Sequence, residues 1–187
     1  VGDELSSRPV HLIAAGKAKP MTVVMPFGHT PVRPGSDLLG NRDFGQDFAD
    51  DLIPYVDANF RTLSAPASRA MAGLSMGGAH TLNFGLPRSD LFRYVGIFSM
   101  GLGFRGGEQE IRAYEQANAK QLSRAAQDMK LVYYAMGTDD FLYSSAAPTL
   151  AMMKRQGFDP VYNETGGGHV WANWRRYFQD FAPRLFN

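Results

Sequence analysis

The sequence contains no cysteine, which excludes disulfides, zinc–thiolate sites and a cysteine nucleophile but does not fix the cellular compartment. No apolar run approaches the roughly 18 residues that span a bilayer, so a membrane partner is not expected. Charge of either sign is not in excess, because 19 basic and 18 acidic side chains leave a formal net charge of +1. A nucleic-acid partner is therefore not expected either.

What the chain does contain is the profile of one globular domain: 187 residues, 44% of them apolar and 20% charged. Short apolar runs predict strands at 21–26, 68–74, 93–100, 130–137 and 160–165, the first of them buried. Helical periodicity lies between them, at 44–60, 76–84, 108–127, 146–156 and 170–185, after a short first helix ended by Gly16 and Pro20. This alternation predicts an α/β fold with a mostly parallel sheet and helices on both faces.

Two of the predicted helices carry detailed expectations. The first has apolar residues four apart, Asp43 as its N-cap and Pro54 as the cause of a kink; its apolar positions are Phe44, Phe48, Leu52, Val56 and Phe60. The helix at 108–127 is expected to bury one side, made of Ile111, Tyr114, Ala117 and Leu122.

The most informative motif is Gly73-Leu74-Ser75-Met76-Gly77, which follows a predicted strand and opens a predicted helix. That setting is typical of a nucleophile elbow, in which a serine sits on a sharp turn and small flanking residues avoid clashes. The alternative is an ordinary glycine-rich turn. The context favours the elbow, and a helix N-terminus beside the serine would also favour negative charge.

A serine hydroxyl needs a base to become a good nucleophile, and the chain has four histidines. Only His169 lies beyond every predicted strand, in a glycine-rich loop that precedes the last helix, so it is the favoured base. The alternative for His169 is a helix cap. His29 is expected to line the pocket, His80 to pack locally and His11 to lie at the surface.

The acid that orients such a base is expected after strand 130–137, where Asp139 and Asp140 both qualify. A solvated turn is the alternative for this pair. A second acidic group, Asp47, Asp50 and Asp51, is interpreted as the solvated face of a helix and not as a metal site. The proposed chemistry needs no metal and no cofactor.

Three segments, AGLSMGG, GTDDFLY and GGGHVWANWRRYFQDFAPRLF, resemble carbohydrate esterase family one, which holds feruloyl and acetylxylan esterases of the α/β-hydrolase superfamily. The resemblance covers nearly the whole chain. It implies Ser75 as nucleophile, His169 as base and Asp140, the fourth residue of a Gly-x-x-Asp block, as acid. It also implies an ester-bearing polysaccharide or oligosaccharide as substrate, and an extracellular or periplasmic location.

The chain departs from the family pattern in one respect. Members usually carry an earlier strand whose following turn supplies one of two oxyanion donors, and no such block precedes His11. The chain is therefore expected to be the later part of the domain, with a missing N-terminal segment or additional modules elsewhere. Phe27 or Gly28 is considered as a substitute donor.

The resulting hypothesis is a serine esterase, with the Met76 N–H as oxyanion donor. Residues in or beside the loops at the carboxyl ends of the predicted strands are considered as a slot for an aromatic acyl group or as core and rim residues: Phe27, Gly28, His29, Met100, Phe104, Tyr143 and Trp171. Two further hypotheses remain. One is a truncated, non-catalytic or weakly active esterase-fold binding module, and the other is an acyltransferase that uses the same residues.

Overall fold

A computed structural model of the chain describes residues 9–29, 42–103 and 105–187. At its centre is a parallel sheet whose strands follow one another in chain order: β1 (Ala70–Leu74), β2 (Tyr94–Phe98), β3 (Leu131–Gly137) and β4 (Val161–Thr165). These are the last four of the five predicted strands, and their parallel arrangement is confirmed.

The register of the sheet brings the carboxyl ends of the strands to one edge. Leu74 pairs with Phe98, Phe98 pairs with Ala135, and β3 ends where Gly137 pairs with Thr165. We call the edge at which these strands end the catalytic edge. In parallel sheets this is the edge at which ligands bind.

Helices cover both faces of the sheet, as predicted. On one face lie α5 (Gly107–Asp128) and α6 (Ala146–Arg155), whose apolar sides join a core with Val95, Ile97 and Tyr134. On the other face lies α7 (Trp171–Phe181), followed by a short 3-10 turn at Ala182–Arg184. The sheet can therefore bury apolar side chains on both sides, as a parallel sheet requires.

The central strand β2 shows why the sequence forms this layer structure. All five of its residues are buried, with Val95 and Ile97 on one face and Tyr94 and Phe98 on the other. A continuous apolar run suits a strand that is covered on both faces, and β-branched residues favour the extended backbone.

The prediction of a buried strand at 21–26 is wrong. These residues do not belong to the sheet, and three of their apolar side chains are exposed: Val23, Val24 and Met25. A strand is stabilised by cross-strand partners, and within the described residues none pairs with this segment. The β-branched composition of this segment indicates strand propensity, but among the described residues the segment has no neighbouring strand to pair with.

The predicted helix at 44–60 is present but differently built. It comprises α2 (Arg42–Gln46), a π-helical segment at Asp47–Leu52 and α3 (Ile53–Asn59). Asp43 lies inside the first turn and is not the N-cap. Pro54 is the second residue of α3, and the change from π-helix to α-helix lies directly before it, at the position of the predicted kink.

The remaining helices agree with the sequence pattern, with one exception. The predicted 76–84 helix is α4 (Met76–His80) continued by a π-helical segment at Thr81–Gly85, and the first helix, α1, occupies residues 9–14 before Gly16. In α5 the buried side includes Ala125, whereas Ala117 is exposed, so its prediction as a core residue is wrong. In the described part of the chain, no helix is both long and apolar enough to cross a membrane.

Candidate active site

Ser75 lies at the catalytic edge, between the end of β1 and the start of α4. Its backbone has φ 51° and ψ −119°, a region that residues other than glycine rarely adopt. The Ser75 N–H donates to the Phe98 carbonyl at 3.0 Å, and the Ser75 carbonyl accepts from the Ala79 N–H at 3.0 Å. The turn is thus fixed both to β2 and to the helix that it opens, and these bonds hold the strained conformation in place.

The two glycines that flank the motif have different roles. A Cβ built on Gly73 would lie 2.2 Å from the backbone C and O of Gly77, a distance that no side chain tolerates. A Cβ on Gly77 would meet nothing within 4 Å. The expectation that a side chain would clash is therefore confirmed at Gly73 and wrong at Gly77, where a side chain would have open space and only the backbone contacts Gly73.

Asp140 and His169 meet at the same edge. The His169 Nδ1 lies 3.0 Å from Oδ1 and 2.9 Å from Oδ2 of Asp140, and the Asp140 side chain is fully buried. An ionised carboxylate can only accept hydrogen bonds, so the imidazole donates from Nδ1, and in neutral His169 the Nε2 atom is an acceptor. This is the tautomer that a general base needs.

Apart from His169, three groups near the Asp140 carboxylate are neutral: a backbone N–H and two buried phenols. The Leu142 N–H donates to Oδ1 at 2.9 Å. Burial raises the pKa of the Tyr134 phenol and that of the Tyr177 phenol, and the neighbouring Asp140 charge acts in the same direction. Both phenols therefore stay neutral at physiological pH.

A separate set of bonds braces the glycine-rich loop that carries His169. Asp139 exchanges two bonds with Gly167, its N–H donating to the Gly167 carbonyl and its Oδ2 accepting the Gly167 N–H, both at 3.1 Å. The Asn173 amide donates to the carbonyls of Gly166 and Gly168 at 3.1 and 3.0 Å. The two neighbouring aspartates thus differ in their contacts: Asp140 holds the imidazole and Asp139 holds the loop.

Two aromatic rings enclose the His169 imidazole. Phe141 packs against it with ring centroids 4.6 Å apart, and Trp174 meets it edge-on at 5.0 Å. The Trp174 indole N–H donates to the Ser99 hydroxyl at 2.9 Å, in a fully buried position. Ser99, directly after β2, is a second non-glycine residue with positive φ, at 50°.

These contacts place His169 next to the strand that also anchors Ser75. Trp174 joins the imidazole to Ser99, and Ser99 is adjacent to Phe98, whose carbonyl holds the Ser75 N–H. Among the described residues there is no hydrogen bond between the Ser75 hydroxyl and His169. In free enzymes such bonds are often long and tighten only when substrate binds.

Three candidate pocket residues, Phe27, Gly28 and His29, directly follow segment 21–26, which lies outside the sheet. Phe27 is 82% exposed, and its ring packs on His29 at 5.1 Å. Gly28 lies close to the turn at Ser75, because a Cβ built on Gly28 would lie 3.4 Å from the side chain of Met76. His11 is exposed and His80 is buried against Phe44, as predicted.

The other candidate pocket residues lie in different settings. Met100 is buried and lines a cavity of about 490 Å³ between α4 and α5. Tyr143 and Trp171 are partly exposed, and the Tyr143 hydroxyl donates to Glu164 at 2.8 Å, which raises the pKa of that phenol. The prediction for Phe104 falls outside the described residues.

Sequence reasoning missed three residues that contact or support the imidazole: Ser99, Phe141 and Trp174. Of these, only Phe141 could have been inferred from the sequence, because it lies next to Asp140.

Within the described residues there is no group of three side chains able to hold a metal ion.

A family described as Esterase matches residues 10–185. The chain belongs to this esterase family. An endo-1,4-beta-xylanase/feruloyl esterase from Xylanibacter ruminicola is 32% identical over 180 residues, and an acetyl esterase from Caldicellulosiruptor saccharolyticus is 25% identical over 162 residues. The alignments cover 94% and 72% of this chain, and this chain spans 22% and 60% of the length of the two relatives.

Solved structures of esterases share the fold of this esterase-family chain, which is of the α/β-hydrolase type. The feruloyl esterase module from Clostridium thermocellum, complexed with sinapinate, has a TM-score of 0.78 at 22% identity, with 95% of this chain and 68% of that chain covered. A CE1 ferulic acid esterase from Anaeromyces mucronatus, in complex with ferulic acid, has a TM-score of 0.76 at 22% identity, with 95% and 70% covered. The resemblance to carbohydrate esterase family one is thus confirmed.

The contrast between the two motif glycines predicts opposite effects on stability. Gly73→Ala should lower the free energy of unfolding by about 1–3 kcal/mol, because its methyl group would collide with the Gly77 backbone. Gly77→Ala, the matched control, should be neutral or stabilising by up to about 1 kcal/mol, since alanine favours the helix and finds open space. Urea unfolding followed by circular dichroism measures both, and equal effects would contradict the assigned contact.

Proposed function

We propose that this chain is a serine carboxylic-ester hydrolase that uses Ser75, His169 and Asp140. The observation that carries the proposal is the buried Asp140 carboxylate bound to Nδ1 of His169, at the sheet edge where Ser75 occupies a strained turn. A buried carboxylate is costly in free energy unless it is paired and hydrogen-bonded. The partner of Asp140 is the imidazole of His169, a side chain suited to proton transfer.

In the proposed reaction, Nε2 of His169 takes the Ser75 hydroxyl proton as the serine oxygen attacks the ester carbonyl carbon. The tetrahedral intermediate collapses as the bond to the alcohol oxygen breaks, and His169 returns the proton to that oxygen. Water then attacks the acyl-enzyme, with His169 as base again, and releases the acid and free Ser75. Asp140 stabilises the protonated imidazole without itself taking the proton.

The negative charge that develops on the carbonyl oxygen needs hydrogen-bond donors. The Met76 N–H is proposed as one, because it lies in the first turn of α4, directly after the nucleophile, where backbone N–H groups lack helical partners. Gly28, which lies against Met76, belongs to the segment considered for a second donor.

The proposed substrates are feruloyl or acetyl esters of plant cell-wall polysaccharide such as xylan. Support comes from relatives named as a xylanase/feruloyl esterase and an acetyl esterase, and from a structural neighbour that holds ferulic acid. Exposed aromatic side chains at the catalytic edge, including Phe141 and Trp171, suit the binding of flat or ring-shaped groups.

One observation favours a second candidate function, a non-catalytic esterase-fold binding module. Phe27 and Gly28, the residues considered for the second oxyanion donor, follow a segment that lies outside the sheet. Losing one such donor lowers turnover by about 10²–10³-fold in serine hydrolases. The first experiment below separates the two functions.

The nucleophile is tested by Ser75→Ala with methyl ferulate and a p-nitrophenyl acetate as substrates. Turnover should fall by about 10⁶-fold, because no hydroxyl remains to form the acyl-enzyme. A fluorophosphonate probe should label the native chain at Ser75, located by peptide mass mapping, and should not label the variant. A folded native chain that neither turns over these esters nor labels would support the binding module.

The two neighbouring aspartates offer a matched test of the acid. Asp140→Asn should lower kcat by about 10³–10⁴-fold, because a neutral amide neither fixes the tautomer nor stabilises the imidazolium. Asp139→Asn should stay within about threefold of the native rate, since its amide oxygen can still accept the Gly167 N–H. Equal losses in both variants, measured on protein of native circular dichroism, would refute the distinction.

Ser99 and Trp174 act as positioning residues in this proposal, because their buried bond fixes the ring that contacts His169. Ser99→Ala and Trp174→Phe should each lower kcat by about 10- to 100-fold with KM little changed. The double variant should lose no more than the larger single loss, as expected for two ends of one bond.

The control for these variants is Thr149→Val, which removes another fully buried hydroxyl with two hydrogen bonds: it accepts from the Leu102 N–H and donates to the Ser145 carbonyl. It should destabilise the fold comparably and leave kcat unchanged. Multiplicative losses in the Ser99 and Trp174 double variant, or a kcat loss in the Thr149 control, would show a general structural effect and not positioning.

A further inference from the structure

The aromatic side chain that covers His169 is unusually accessible. Phe141 follows Asp140 directly and is 74% exposed, although its ring packs on the imidazole with centroids 4.6 Å apart. Its neighbour Leu142 is buried in the core. The two rings are tilted by 47°, so the imidazole covers only part of the Phe141 ring, and most of its surface meets solvent at the catalytic edge.

A second accessible ring lies close by. Trp171 is 36% exposed and meets Trp174 edge-on at 5.1 Å, and Trp174 in turn meets His169. Phe141 and Trp171 are thus each linked to the imidazole, the first directly and the second through one ring. Neither belongs to the buried clusters of the core.

The chemistry of ester cleavage indicates which part of a substrate would lie against Phe141 and Trp171. The base that takes the serine proton must later give a proton to the departing alcohol oxygen, so that oxygen comes within hydrogen-bond distance of the imidazole. The carbonyl oxygen, in contrast, faces the N–H groups at the start of α4. Rings that contact the imidazole therefore border the alcohol side of the ester and not its carbonyl oxygen.

We infer that Phe141, together with Trp171, forms a platform for the sugar ring that carries the esterified hydroxyl. The inference rests on the proposed ester hydrolysis and assigns the alcohol side of its substrate. The face of an aromatic ring is electron-rich and attracts the weakly positive C–H groups that one side of a pyranose or furanose ring presents. Such stacking needs no charged partner and adapts to a chain of sugars.

The platform predicts that Phe141 discriminates between alcohols. With the acyl group held constant, Phe141→Ala should lower kcat/KM for a feruloylated arabinoxylan oligosaccharide about fivefold more than kcat/KM for methyl ferulate, because methanol offers no ring to stack. A loss common to both esters reports the packing of Phe141 on His169, and the ratio of the two losses reports the platform. Phe141→Tyr should restore the native preference. The control is Phe60→Ala, which removes an exposed ring beyond the end of α3.

A binding measurement separates the platform from the hydrolysis itself. In the Ser75→Ala background, calorimetric titration with an unesterified arabinoxylan oligosaccharide should show weaker binding when Phe141 is also changed to Ala. This result does not depend on turnover, so a chain that hydrolyses no ester but binds the sugar through Phe141 would refute only the proposed function. Equal losses on both esters, or no change in sugar binding, would overturn the platform.

Discussion

The parallel register of the four strands is the constraint on which the rest of the structure depends. Because β1, β3 and β4 all end at one edge, the residues that follow them are brought together although they are far apart in the chain. Ser75 follows β1, Asp140 lies three residues beyond β3, and His169 four residues beyond β4. No local interaction along the chain could bring these residues to the same edge of the sheet.

The strand ends alone do not fix the site, and two strained backbones refine it. Ser75 and Ser99 follow adjacent strands, and both adopt positive φ without being glycine. At Ser75 the turn directs the chain into α4, and at Ser99 it lets a buried hydroxyl accept the Trp174 indole N–H. Strain of this kind persists only where surrounding contacts hold it, and it commonly marks functional sites.

The imidazole is held by contacts of different physical kinds. A buried carboxylate fixes its tautomer, aromatic rings restrict its tilt, and the loop that carries it is tied down by Asp139 and Asn173. These restraints come from the loop after β3, the loop after β4 and α7. Preorganisation of this kind lowers the cost of reaching a reactive geometry, which agrees with the family to which the chain belongs.

The sequence by itself determined the order of the last four strands and the helices between them, the turn at Ser75 and the loop position of His169, because these depend on local periodicity and on residues such as Gly73. It could not choose between Asp139 and Asp140 without the family resemblance, since both sit in the same turn. Only the tertiary structure decided that segment 21–26 joins no sheet and that Ser99, Phe141 and Trp174 surround the imidazole. Strand pairing and ring contacts link residues distant in the chain, and a linear pattern does not encode their distances.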